Sequence, residues 1–126
     1  MTELRNNCEK GAKRGDVTFI KLGAVRAFPG AVPDKAHALK PLEEASEVFG
    51  AWQNAEDSGE HYKDPEIRKI STYAWAECEV LIDEIADTVQ ACCNLASALG
   101  VDDLAPYLAR CEERNRKRGR YDSGDR

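Results

Sequence analysis

The sequence predicts an all-α fold, a helical bundle whose four-helix-type core is completed by self-association. Three observations carry this reading. From Pro65 to Gly100 the chain keeps one helical period, with Cys78, Ile82, Ile85, Val89, Cys92, Ala96 and Leu99 at alternating steps of four and three. That is an a/d seam of the kind that packs against partner helices. Residues 35–52 place Leu42, Ala45, Val48, Phe49 and Trp52 at steps of three and four, as a buried helix face requires. Two long helices and a short last one bury little alone, so the seam and the aromatics point to a core shared between copies.

Residues 1–15 read as a short helix or an arm. Residues 16–34 hold a short β-like run followed by Gly and Pro breakers, and predict mostly irregular structure. A helix is expected from about Lys35 to Trp52, with Pro41 starting a fresh helix or kinking it. Residues 53–64 are polar, contain a Gly and read as a loop. Asp64-Pro65 is a strong helix start, Asp as N-cap and Pro at the first helical position. The pattern then runs to Gly100, a C-cap signal, with a break expected near Thr72–Ala76 because the run is long for a globular helix. Asp102 can cap a last helix reaching about Arg118, and the tail RYDSGDR frays. The organisation is thus an arm and irregular segment (1–34), one helical domain (35–120) and a tail (121–126).

Composition bounds the function classes. The chain has 126 residues, 42% apolar and 33% charged, which suits one helix-rich domain with a modest core. No apolar run approaches the roughly 20 residues that span a bilayer. The charged N-terminus lacks an apolar h-region, so no secretory signal is expected. Five cysteines, an odd number without CxxC spacing or nearby His, argue against a disulfide framework or a zinc site. Reduced thiols in a cytoplasm are the simplest reading, with Cys78, Cys92 and Cys93 as small core residues. The net charge of −5 hides an asymmetry: +2 over residues 1–21, −10 over 22–109 and +3 over 110–126. An acidic middle is a poor surface for nucleic acid and a reasonable place for divalent cations.

Two acid pairs sharpen this. Glu44 and Glu47 lie in KPLEEASEVFGAW, and Glu84 and Asp87 lie in DEIADTVQACCNLASALG. Residues at i and i+3 share a helix face, so each pair points two carboxylates the same way. Four carboxylates brought together by helix packing cannot all stay ionised unless something neutralises them. A hard dication with oxygen ligands does so, and Mg²⁺ usually accompanies phosphate. Glu77, Glu84, Asp87 and Asn94 form a stripe roughly 100° wide, on the side away from the seam's centre. Period alone leaves a plain solvated face equally open.

These residues resemble the MazG-like all-α nucleoside triphosphate pyrophosphohydrolase superfamily, which carries E-x-x-E on one helix and E-x-x-D on a later one. Glu44-Ala-Ser-Glu47 and Glu84-Ile-Ala-Asp87 match that pattern. The helix DEIADTVQACCNLASALGVDD resembles the family's second acid helix, with its downstream Asn, its terminal L-G and an acidic start to the next helix. RCEERNRKRG resembles the basic stretch of the last helix. The likeness covers roughly residues 40–120. Thirty-six residues separate Glu47 from Glu84, longer than the family's habit, which implies an enlarged loop or an extra turn. The first 35 residues lie outside the likeness.

The resemblance implies a fold, a MazG-like bundle assembled as a homodimer or homotetramer, and a reaction, cleavage of (d)NTP to (d)NMP and pyrophosphate. It implies Glu44, Glu47, Glu84 and Asp87 as ligands of Mg²⁺, with Mn²⁺ as a substitute, and Glu47 or Glu84 in a catalytic role such as positioning or deprotonating water. Asn94 would donate to a phosphate or a sugar hydroxyl, or simply hydrogen-bond near a helix end. Arg114, Asn115, Lys117 and Arg118 would reach phosphate, or complement the dipole of the last helix. Lys40 is a weaker phosphate candidate. Trp52 can stack on a base or sit in a core or dimer interface, and Trp75 and Tyr73 share that ambiguity. Glu77 extends the acidic stripe. His37 and His61 have no partner at ligand spacing and read as surface residues. The partners expected are a nucleoside triphosphate and further copies of the chain, without nucleic acid or membrane. Such an enzyme cleanses or balances nucleotide pools in a bacterium or phage. Narrower relatives, a dUTPase-like or phosphoribosyl-ATP pyrophosphohydrolase, and a non-catalytic helical interaction module stay open.

Overall fold

In the computed structural model, which describes residues 17–59 and 61–122, four α-helices follow an irregular N-terminal strap. They are α1 (Lys35–Ser58), α2 (Pro65–Ile70), α3 (Thr72–Ala98) and α4 (Ala105–Lys117), with a 3₁₀ turn at His61–Lys63. The all-α class is therefore observed, and the described residues contain no strand. The predicted arm at 1–15 and residues 123–126 of the tail lie outside the described residues. No helix among them is long and apolar enough to cross a membrane.

Each helix end has a local cause. Asp34 caps α1, its side chain accepting from the His37 backbone N–H at 2.9 Å. The helix runs continuously through Pro41, so the fresh start expected there does not occur. It also continues to Ser58 instead of ending at Trp52, and residues 53–58 are helix, not loop. Tertiary contacts override the weak propensity of this stretch: Ala55 is buried, and Glu56 accepts from the Tyr62 hydroxyl at 3.2 Å and pairs with Lys63. Gly59, at φ +120°, ends the helix.

Asp64 caps α2 by accepting from Glu66 N–H, with Pro65 in the first turn, as the sequence predicts. The break expected near Thr72–Ala76 falls at Ser71. That residue donates its N–H to Ile67 at 2.8 Å to close α2, and its hydroxyl accepts from Ala74 N–H at 3.2 Å to open α3. Gly100 follows α3 at φ +82°, and Val101 N–H returns to the Ala96 carbonyl at 3.0 Å. At the start of α4 Leu104 occupies the N-cap position, and Asp103, not Asp102, accepts from Ala105 N–H at 2.9 Å.

Residues 36–40 of α1 lie beside 87–94 of α3, and Glu44 and Glu47 lie beside Glu84, so the two long helices run antiparallel. Their shared seam differs from the expected one. On α1 it is His37, Pro41, Glu44, Val48, Ala51 and Ala55, all buried or half-buried at steps of four and three. On α3 it is Ala74, Cys78, Leu81, Glu84, Thr88, Ala91 and Asn94. Of the apolar face predicted for α1, Val48 lies in this seam, while the rest is open, with Leu42 69% and Phe49 57% exposed and Ala45 and Trp52 also exposed. The α3 seam is open too, at Ile82, Ile85, Cys92 and Leu99, and Cys92 is not a core residue. Small residues explain the choice, since Ala51, Ala55, Ala74 and Ala91 let the two backbones approach while the large side chains stay on a separate surface. Trp75, Tyr62 and Arg68 form a small second cluster under the 3₁₀ turn, where Arg68 Nη1 donates to the Tyr62 carbonyl at 2.7 Å.

Candidate metal centre

The helix seam positions the acids. Because Glu44 and Glu84 occupy seam positions, their carboxyls are drawn in from solvent, and both are half-buried. Glu47, one turn along α1, is exposed at the rim. Each of the three offers a carboxylate oxygen within 4.8 Å of the other two. Glu84 Oε2 is buried and has no hydrogen-bond partner among the described residues. A carboxylate oxygen in that position is costly unless a cation or proton reaches it. Glu47 is affected by both neighbours, Glu44 above all. Its carboxyl is held above the usual range, first by hydrogen bonding to Glu44, then by the Glu44 charge, partial burial and the charge of Glu84.

Asp87 stands apart from the trio. It is exposed, one turn further along α3, and lines a cavity of about 310 Å³ together with Glu44. Lys40 stands on the opposite wall, 3.4 Å from Glu44 and 3.2 Å from Glu43, and these two carboxylates raise its pKa. His37, expected at the surface, is half-buried on the same wall, with Nδ1 2.7 Å from Asp34. His61 is exposed, as expected.

Of the other predicted residues, Asn94 lines this cavity with Glu44 and Asp87, and the rest are dispersed. Asn94 is 7% exposed; its side-chain oxygen accepts from Phe28 N–H and from Gln90 Nε2, each at 2.9 Å. Arg114, Lys117 and Arg118 are exposed at the end of α4 and line neither this cavity nor the larger one beside it. Asn115 is half-buried and donates to Cys111 Sγ at 3.5 Å. Trp52 stacks on Phe49, with ring centroids 5.7 Å apart, and lines neither cavity. Glu77 is half-buried, Trp75 is a core residue and Tyr73 is exposed. Sequence reasoning missed Phe28 and Gln90. Gln90 carried a faint signal, three residues beyond Asp87 and four before Asn94 on one helix. Phe28 carried none.

The donor set fits a hard cation: three carboxylates, no sulfur or imidazole among them, and one buried oxygen in need of a positive charge. Against family models, curated proteins and solved structures, the chain finds no match.

Proposed function

We propose that the chain is a Mg²⁺-dependent nucleotide pyrophosphohydrolase that converts a (d)NTP to the (d)NMP and pyrophosphate. The observation that carries the reading is the convergence of Glu44, Glu47 and Glu84 from two helices around the unpartnered Glu84 oxygen. Glu44, Glu47 and Glu84 would hold the cation, with Asp87 completing the set from the cavity side. A bound magnesium ion supplies positive charge to phosphate oxygens and makes a water more acidic. Glu47, at the exposed rim and with a raised proton affinity, is the acid best placed to accept a proton from an attacking water. Glu44 and Glu84 are fixed by the seam and serve as anchors.

Self-association belongs to the same reading. Leu42, Phe49 and Trp52 on α1, Ile82 and Ile85 on α3 and Leu99 at its C-cap leave an apolar surface that a second copy would cover. The dispersed basic end of α4 favours a second reading, a non-catalytic helical module on the same scaffold.

Pyrophosphate release from a panel of NTPs and dNTPs, with and without Mg²⁺, separates the two. The Glu84→Gln variant should lose roughly a hundredfold or more of the metal-dependent rate while its far-ultraviolet circular dichroism is unchanged. Release that ignores the substitution would remove Glu84 from the site. A well-folded protein that releases no pyrophosphate from any nucleotide would leave the helical module.

A further inference from the structure

The small cavity beside the acids has two amide side chains whose orientations are fixed by backbone groups. A backbone N–H can only donate, so the Asn94 atom 2.9 Å from Phe28 N is its oxygen. A backbone carbonyl can only accept, so the Gln90 atom 2.9 Å from the Arg26 oxygen is its nitrogen. That same Gln90 nitrogen donates to Asn94 Oδ1 at 2.9 Å. The network leaves two groups over: the amide nitrogen of Asn94, a donor, and the amide oxygen of Gln90, an acceptor. Neither has a partner among the described residues. Asn94 is more than nine-tenths buried, and both side chains line the cavity.

Because the two amides are hydrogen-bonded to each other, this donor and this acceptor sit on adjoining groups, a pair that matches a heterocycle edge carrying an acceptor next to a donor, which every nucleobase has. Phe28, 61% exposed, lines the same cavity and brings an aromatic ring that a base can stack on. A volume of about 310 Å³ lies at the lower end of the range for small-molecule sites, about 300–1,000 Å³, and suits a single nucleoside. A phosphate site is a poorer fit, because the basic side chains on its walls already have acidic partners: Lys40 has Glu43 and Glu44, and His37 has Asp34.

We infer that this cavity is a nucleobase site, in which Gln90 and Asn94 read the base edge and Phe28 stacks on its face. The assignment rests on the nucleotide reading above for what lies beyond the base. Glu44 both lines the cavity and belongs to the acidic trio, so a base held here sends its phosphates toward the carboxylates.

The test uses the full chain in metal-free buffer, with the four deoxynucleosides, deoxyribose and inorganic phosphate as separate probes. At least one deoxynucleoside should saturably shift the side-chain amide resonances of Gln90 and Asn94, and deoxyribose and phosphate should not. Asn94 and Gln90 also tether the strap, so substituting them risks the fold. Phe28→Ala keeps the backbone N–H that Asn94 holds, and should weaken nucleoside binding about tenfold or more. No shift with any nucleoside at millimolar concentration, equal shifts with deoxyribose, or a Phe28→Ala variant that binds as wild type would each overturn the base site. Pyrophosphate release without any nucleoside response would overturn it while leaving the hydrolase standing. Nucleoside binding without metal-dependent release would support the base site and sink the hydrolase.

Discussion

Glu47 couples the acidic centre to pH. Its carboxyl titrates above the ordinary value near 4.5, because Glu44 hydrogen-bonds to it and Glu44 and Glu84 repel its charge. The folded chain therefore binds that proton more tightly than the unfolded chain does, and the sign of the linkage follows. The stabilising increment is complete below the unfolded value and is lost as pH rises through the raised folded one. With chelator present, the urea midpoint should accordingly fall as pH climbs from the ordinary glutamate range through the raised value. Saturating Mg²⁺ at neutral pH should restore it, since a cation bound only to the folded state stabilises it. Glu47→Gln should flatten that part of the pH profile in chelator. A variant whose midpoint follows pH as steeply as wild type would show that the trio is not the source.

Ser71 is the joint between α2 and α3, closing one helix with its N–H and opening the next with its hydroxyl. Ser71→Ala keeps the first bond and removes the second. The loss should be about 1 kcal/mol of stability, read as a lower urea midpoint with unchanged metal affinity, because the acids lie more than three turns away along α3. A Mg²⁺ affinity that fell with stability would mean that the joint sets the register of Glu84. At this scale the sequence was legible wherever the cause was local. Asp64-Pro65, Gly100 and the extent of α3 are written in caps and period. The pairing of α1 with α3 was not, because the rule that large apolar residues mark the contact face fails here. The contact is made mostly through small and polar residues, with Val48 and Leu81 among them, while Leu42, Phe49 and Trp52 are exposed. The acids could be picked out as a set, but their burial followed from a seam that hydropathy does not reveal. The amide network was invisible for a different reason: Phe28 and Arg26 reach Asn94 and Gln90 across 66 and 64 residues of chain.

The whole molecule leaves much of its apolar surface uncovered. Among the described residues Tyr62 and Trp75 are the large apolar side chains that are buried, whereas Leu42, Phe49, Trp52, Ile82 and Ile85 on the two long helices and Leu99 at the C-cap of α3 are all exposed. A stable interface needs about 800 Å² from each partner, and aromatic residues such as Phe49 and Trp52 each bring about 150–250 Å² when buried. The six residues are already partly covered in the single chain, so they bring only part of that area, and a second copy meeting this face would bury what is left open. Phe49 is the residue to test. It is 57% exposed and its ring contact is with Trp52 on the same helix, so a charge placed there costs the single chain little. In a dimer the same charge would be buried without a partner, which is strongly unfavourable. Phe49→Glu should therefore convert a dimer or larger species to monomer in sedimentation velocity, with helicity preserved. If the acids of one chain suffice for metal, the monomeric variant should still bind Mg²⁺. Loss of metal binding together with assembly would place part of the centre on the neighbouring copy. Wild-type protein that sediments as a monomer at high micromolar concentration would leave this face without a second copy to cover it.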